Sequence, residues 1–148
     1  MKSALKRTVT RGLPALAFAF AAVLCIRSSG DADAIANIVP AGAGAPVQMT
    51  ACFPPNRVRI RNRANRELLG FTVRFRQYDS ADTKLSDAVE QPVTTVSLEP
   101  GEAGLFNTTG SFTLLSDTRS VKCEIRSARF AGLKIWNAGQ KWPEKLHS

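Results

Sequence analysis

Arginines recur at alternate positions in two neighbouring segments of the chain. The set is Arg57, Arg59, Arg61, Arg74 and Arg76. An arginine carries a planar, permanently charged fork that donates paired hydrogen bonds to phosphate and carboxylate groups. If the two segments are strands that pair with each other, the five side chains form a ladder that could bind an anionic polymer. The alternatives are a solvated face and a face that a protein partner covers.

The chain as a whole is basic, but nucleic acid is a poor match for its arginines. Its 148 residues include 20 Lys+Arg and 12 Asp+Glu, a net charge of +8. Proteins that bind single strands stack the bases on aromatic side chains of the basic face. Here Phe71 and Phe75 alternate with Arg74 and Arg76, and therefore point to the opposite face of the strand. We predict no nucleic-acid partner.

Two cysteines outside the N-terminal region could form a covalent link. Cys25 lies in an apolar N-terminal run, while Cys52 and Cys123 lie in the remainder of the chain. In an oxidising compartment, two cysteines most simply form one disulfide, and the alternative is two separate buried thiols. Structural zinc takes four ligands, and no second pair accompanies these two. We predict a disulfide and no metal.

The sequence offers no familiar catalytic set. His147 is the single histidine and lies at the C-terminal end, so the serines have no nearby base for a Ser-His-Asp triad. Glu99 and Glu102 flank the turn signal Pro100-Gly101, which is typical of solvated turn residues and not of a glycosidase pair. We therefore predict a protein without enzymatic activity and without a cofactor.

The N-terminus has the pattern of an export signal. Basic residues from Lys2 to Arg11 precede an uncharged apolar run at residues 13–26. This run suits a signal peptide and is shorter than the ~20 residues of a transmembrane helix. Because Ala32-Asp33-Ala34 supplies the small residues of a cleavage site, we predict a signal peptide over residues 1–34, cut after Ala34. The product would be secreted or periplasmic, without a transmembrane anchor; the alternative is an uncleaved anchor in the inner membrane.

Beyond position 49, short segments alternate between polar and apolar residues. The alternation is clearest in residues 57–61, 71–76 and 121–126. A period of two is typical of strands with one buried and one solvated face. Shorter strand candidates are residues 48–53, 93–98, 112–115 and 133–136, with turn-forming residues between them. We predict an all-β fold, a single antiparallel immunoglobulin-like β-sandwich preceded by an N-terminal signal helix.

The composition also divides the exported chain. Residues 35–49 are uncharged and rich in Ala, Gly and Pro, which predicts a linker. The sandwich is expected over residues 50–138, and a polar tail over residues 139–148. Within this division Trp136, in the last strand, is expected in the core. Trp142, in the tail, is expected to be exposed.

In its predicted strand, Cys52 alternates with the apolar residues and does not belong to their set. The apolar set of that strand is Val47, Met49, Ala51 and Phe53. A regular strand that buries this set turns Cys52 toward solvent. A β-bulge, or a disulfide at the sheet edge, would reconcile the strand with a bond to Cys123.

Motifs in residues 57–136 occur in an order that suggests a family. The motifs read Val58-x-Ile60-x-Asn62, then Gly70-Phe71-x-Val73-x-Phe75-x-x-Tyr78-Asp79, then Leu98-x-Pro100-Gly101. This order resembles FxLYD-type and related immunoglobulin-like domains of exported bacterial proteins. The resemblance implies an immunoglobulin-like sandwich and implies no catalytic residues. Arg76-Gln77, between Phe75 and Tyr78, departs from the pattern.

These features predict an exported interaction domain. We expect a non-enzymatic accessory protein of the cell envelope, whose partner is either an envelope protein or an anionic surface polymer. The alternative function is a polyanion-binding module that recognises lipopolysaccharide or an acidic glycan through the arginine-rich sheet face.

Overall fold

The computed structural model describes residues 34–148 of the chain. The predicted signal peptide lies, apart from Ala34, outside the described residues, so the signal helix and its cleavage stay predictions. No helix of the described residues is long and apolar enough to cross a membrane.

Residues 34–148 form strands and connecting segments, without a helix. The strands are β1 (Ile35–Ile38), β2 (Val47–Phe53), β3 (Arg57–Asn62), β4 (Leu68–Tyr78), β5 (Val89–Val93), β6 (Ala103–Asn107), β7 (Ser120–Phe130) and β8 (Lys134–Asn137). One sheet has the order β1-β7-β4-β5, with β8 also paired to β7, and the other has the order β2-β3-β6. Every pair is antiparallel except β1 with β7, which is parallel. The all-β prediction is confirmed, and the antiparallel prediction fails at β1.

The two sheets share one hydrophobic core. Alternate residues of β3, β4 and β7 are buried, as their period of two requires. Val58, Ile60, Val73 and Phe130 are completely buried within this core. Their outward neighbours are polar or charged, so the outer face of each sheet is free to carry the charged side chains.

A β-bulge turns Cys52 toward the core. The β2–β3 register shifts between Met49 and Ala51. The extra residue reverses the facing of the rest of the strand, so Cys52 is buried while Phe53 is exposed. Cys52 is bonded to Cys123 of β7, with the two Cα atoms 6.6 Å apart. The predicted disulfide is thus present, and it joins the two sheets.

Residues 35–49 are part of the fold, and the linker prediction is wrong. Ile35–Ile38 forms β1, and Val39 extends the attachment by donating its N–H to the Cys123 carbonyl at 2.8 Å. Ala45, Val47 and Met49 are buried in the core. Residues 45–47 and Met49 enter the core, which a charged side chain could not do, whereas residues 42–44 of the same segment stay exposed.

The tail prediction is also wrong for residues 142–147, which we call the C-terminal strap. Trp142 is only 5% exposed, and its ring centroid lies 4.9 Å from that of Phe130. Leu146 forms a bridge with Ala64. The apolar Trp142 and Leu146, spaced along a polar stretch, attach the strap to the core edge. Trp136 is buried, as predicted.

Two short strand predictions are misplaced. A strand was expected at residues 93–98, but the strand in this region, β5, ends at Val93. Residues 112–115 form no strand. The buried side chain of Gln77 substitutes for a strand partner in that second segment. Its amide donates to the Thr113 carbonyl at 3.1 Å and accepts from the Leu115 N–H at 2.9 Å. One side chain therefore satisfies backbone groups that a sheet would otherwise pair.

Candidate anion-binding surface

The two arginine-bearing strands belong to different sheets. β3 lies in the β2-β3-β6 sheet and β4 in the other, so the predicted five-arginine ladder is wrong. The connection between them begins at Asn62, which is completely buried. Its amide donates to the carbonyls of Arg66 and Leu98 at 2.8 and 2.9 Å, and its side-chain oxygen accepts from the Ala64 N–H at 2.9 Å. These bonds turn the chain from one sheet into the other.

The arginines of β4 lie among acidic and basic neighbours. Arg74 donates to Glu90 at 2.6 Å and stands opposite Glu124 in the sheet register. Arg76 stands opposite Lys122, whose ammonium lies 4.3 Å from the centroid of the Tyr78 ring. The outer face of this sheet therefore carries mixed charge, and Arg74 is already paired.

Arg57, Arg59 and Arg61 form a different surface, which we call the arginine column. All three are exposed on the outer face of β3, and none forms an ion pair with any residue in 34–148. Alternate residues of a strand are about 6.6 Å apart, which spaces the three charges evenly. Their register neighbours on β2 and β6 are uncharged: Gln48, Ala51, Phe53, Ala103, Leu105 and Asn107.

Two apolar side chains stand beside the column. Phe53 and Leu105 are 48% and 51% exposed. The Arg57 guanidinium carbon lies 5.4 Å from the centroid of the Phe53 ring, a cation–π distance. The column thus combines unpaired positive charge with apolar contact area, which suits a ligand that has both anionic groups and carbon faces.

A cationic pocket continues the column at the end of the sheet. Its volume is about 330 Å³. It is lined by Arg61, Arg63, Gln48, Asn62, Gly101, His147 and Ser148. Arg63 continues the alternation of arginines at positions 57, 59 and 61. This pattern is visible in the sequence, but Arg63 was not included in the predicted ladder. His147, expected in a free tail, could not be placed from the sequence.

The C-terminal strap brings His147 to this pocket. The His147 N–H donates to the Arg63 carbonyl at 2.7 Å. Its ring packs over Gly101, where an added Cβ would lie 2.8 Å from the ring. Gly101 has φ +84°, a backbone conformation that favours glycine. The Pro100-Gly101 turn predicted from the sequence therefore packs against the ring of His147.

An ion pair fastens the strap. The Arg66 side chain donates through Nε to Glu144 Oε1 at 2.6 Å and through Nη2 to Oε2 at 2.8 Å. The hydrogen bonds from Arg66 lower the pKa of Glu144 below its ordinary value, against the opposing effect of desolvation, and they raise the pKa of Arg66. Arg66 is thus neutralised, unlike the arginines of the column.

Within residues 34–148, no three His, Cys, Asp or Glu side chains converge in a group that could hold a metal ion. Comparisons of the chain with protein-family models, with curated proteins and with solved structures each found no match.

Proposed function

We propose that this protein is an exported, non-enzymatic interaction domain of the cell envelope, an immunoglobulin-like β-sandwich that binds an anionic polymer through the arginine column. The observation that carries the proposal is the contrast between Arg74 of β4 and the arginine column of β3. Arg74 is paired with Glu90, whereas Arg57, Arg59 and Arg61 have no acidic partner among residues 34–148. Unpaired like charges in a row repel one another, and an anionic ligand would relieve that repulsion.

The ligand class follows from the chemistry of the column. Evenly spaced guanidinium forks match a chain of phosphates or carboxylates. Phe53 and Leu105 add apolar area that can contact the carbon faces of sugar rings. Lipopolysaccharide and acidic glycans present both features. The export pattern of the N-terminus and the disulfide between Cys52 and Cys123 are compatible with an envelope location.

The test measures retention on immobilised lipopolysaccharide, eluted by a salt gradient. The triple variant Arg57→Ser, Arg59→Ser, Arg61→Ser is compared with a matched control that removes the same charge elsewhere: Arg76→Ser, Lys134→Ser, Lys141→Ser. At about 1 kcal/mol per charge, we expect the column variant to bind roughly a hundredfold more weakly. Equal losses in both triple variants would mean that net charge alone drives retention, and the column would not be a site.

A second candidate function, the binding of a protein partner, is favoured by exposed apolar side chains at the β8 edge of the other sheet. Leu133 and Ile135, at the β7–β8 hairpin, are 96% and 63% exposed, and β8 is an edge strand. Such an edge can accept a strand from a protein partner. A partner bound there would be retained at about 0.5 M salt, where screening acts within a few Å, and would be lost in Leu133→Ser, Ile135→Ser.

A further inference from the structure

A cavity opens where the edges of the two sheets face each other. β1 borders one sheet and β2 the other, and the connection between these strands runs across the gap. The cavity has a volume of about 390 Å³. Its apolar lining includes Ile38, Val39, Val47, Met49 and Ile125. We call this the edge cavity.

One charged residue lies at the edge cavity. Arg63 is the single charged residue of its lining among residues 34–148. The Arg63 backbone is fixed, because its N–H donates to the Pro46 carbonyl at 2.8 Å and its carbonyl accepts from His147. Its guanidinium forms no ion pair within the described part of the chain. Arg63 is half-buried, and an arginine without an acidic partner can accept an anion.

The edge cavity and the cationic pocket share a wall. Gln48 and Arg63 line both of them. Apolar walls therefore lie on one side of Arg63, and Arg61 with His147 lies on the other. The edge cavity could therefore hold a hydrocarbon chain while the adjoining cationic pocket holds a negatively charged group.

We infer that this junction binds a single aliphatic chain with a terminal carboxylate, that is, a free fatty acid. The chain occupies the edge cavity, and the carboxylate lies against Arg63 and Arg61. The volume of about 390 Å³ is at the small end of ligand pockets, which suits one short chain and excludes a two-chain lipid. The ligand is small and monovalent, so the inference goes beyond the proposed binding of a polymer and does not rest on it.

The test is calorimetric titration of decanoate, below its micelle concentration, into the disulfide-bonded protein produced from the full sequence. Acetate supplies the head group without the chain, and decyltrimethylammonium supplies the chain with the opposite charge. We expect decanoate to bind with a stoichiometry of one, and the other two probes to show no binding. Equal binding of decanoate and decyltrimethylammonium would overturn the inference, because it would mean adsorption on apolar surface without recognition of charge. Binding of acetate at the affinity of decanoate would also overturn it, since the cavity would then play no part.

Variants locate the site and separate it from the arginine column. Arg63→Gln removes the guanidinium from the shared wall and should weaken decanoate roughly tenfold. Ile38→Asp, at a residue already 36% exposed, places a competing carboxylate at the cavity and should abolish binding. Arg59→Gln lies in the column but outside both cavities, so it should weaken retention on lipopolysaccharide and leave decanoate unchanged. Unchanged decanoate affinity in a folded Arg63→Gln protein would refute the site.

Discussion

The side chains of Arg66 and Glu144 meet in a two-pronged ion pair that joins the β3–β4 connection to the C-terminal strap. Arg66 Nε and Nη2 contact the two carboxylate oxygens at 2.6 and 2.8 Å. The side chains keep 33% and 31% of their exposure, so solvent screens the pair. Its effect is therefore local: it keeps the strap, and with it His147, beside the cationic pocket.

Acid should release the strap. The pKa of Glu144 is lowered in the folded protein, chiefly by the hydrogen bonds from Arg66. A carboxyl group of this kind stabilises the fold at neutral pH, and the stabilisation is lost as the pH falls through the folded pKa. We expect Glu144→Gln to lower the urea midpoint at neutral pH and to have no further effect in strong acid. The measurement is urea unfolding followed by tryptophan fluorescence. A constant difference between the two proteins at every pH would contradict this linkage.

The Trp142 ring should anchor the strap through packing alone. Trp142 is buried against Phe130, but its indole N–H has no hydrogen-bond partner among residues 34–148. We expect Trp142→Ala to lower the free energy of unfolding by about 3–5 kcal/mol. Trp142→Phe keeps most of the packing and removes the unpaired donor, so it should cost less than about 1.5 kcal/mol. Thermal and urea unfolding of the two variants would distinguish packing from hydrogen bonding; equal losses would contradict the packing account.

Asn62 should be the most sensitive polar residue of the β3–β4 connection. Its side chain makes hydrogen bonds to Ala64, Arg66 and Leu98. Asn62→Ala removes the partner of the Ala64 N–H and of the Arg66 carbonyl, while the Leu98 carbonyl keeps its bond from the Leu68 N–H. We expect the substitution to lower the free energy of unfolding by about 3 kcal/mol. The nearby control Asn65→Ala removes an exposed side chain that donates to Lys145, and should cost under about 1 kcal/mol. Urea denaturation gives both values, and similar losses would mean that Asn62 does not direct the crossing.

The disulfide should account for a large part of the stability. It closes a sequence separation of 71 residues and links the two sheets. In the chain-entropy account a loop of this length contributes about 4 kcal/mol. We expect Cys52→Ala, Cys123→Ala and the double variant to lose similar amounts, because each removes the same bond. If the double variant loses the sum of the two single losses, the cysteines stabilise the core independently of their bond.

The alternation of polar and apolar residues predicted the strands that have one buried face and one face exposed to solvent. Val58 and Ile60 alternate with arginines, so the period of two identified β3, and the same pattern identified β4 and β7. The position of Cys52 in the alternation called for either a β-bulge or a disulfide at the sheet edge, and β2 contains the bulge. These features depend on neighbours along the chain, which a sequence displays directly.

The sheet to which each strand belongs could not be predicted in the same way. Asn62 turns the chain by bonding to Leu98, far along the sequence, and no local pattern records that contact. β6 was missed because its inward residues are Gly104 and the half-buried Phe106, which give no clear alternation. The sequence therefore identified the residues of the arginine column but not the surface that they form. It also did not show that Arg63 lines a pocket beside them.

The pairing of β1 with β7 means that β1 cannot complete its sheet until β7 has been synthesised. Ile35–Ile38 is synthesised before its partner Ser120–Cys123, and strands β2 to β6 lie between them in the chain. β1 must therefore wait, unpaired, while the middle of the chain assembles. Cys123 arrives in the same segment that receives β1, so oxidation with Cys52 and completion of the sheet become possible at the same moment. A nascent chain arrested before Ser120 would hold Cys52 without its partner Cys123, and its first sheet would lack β7.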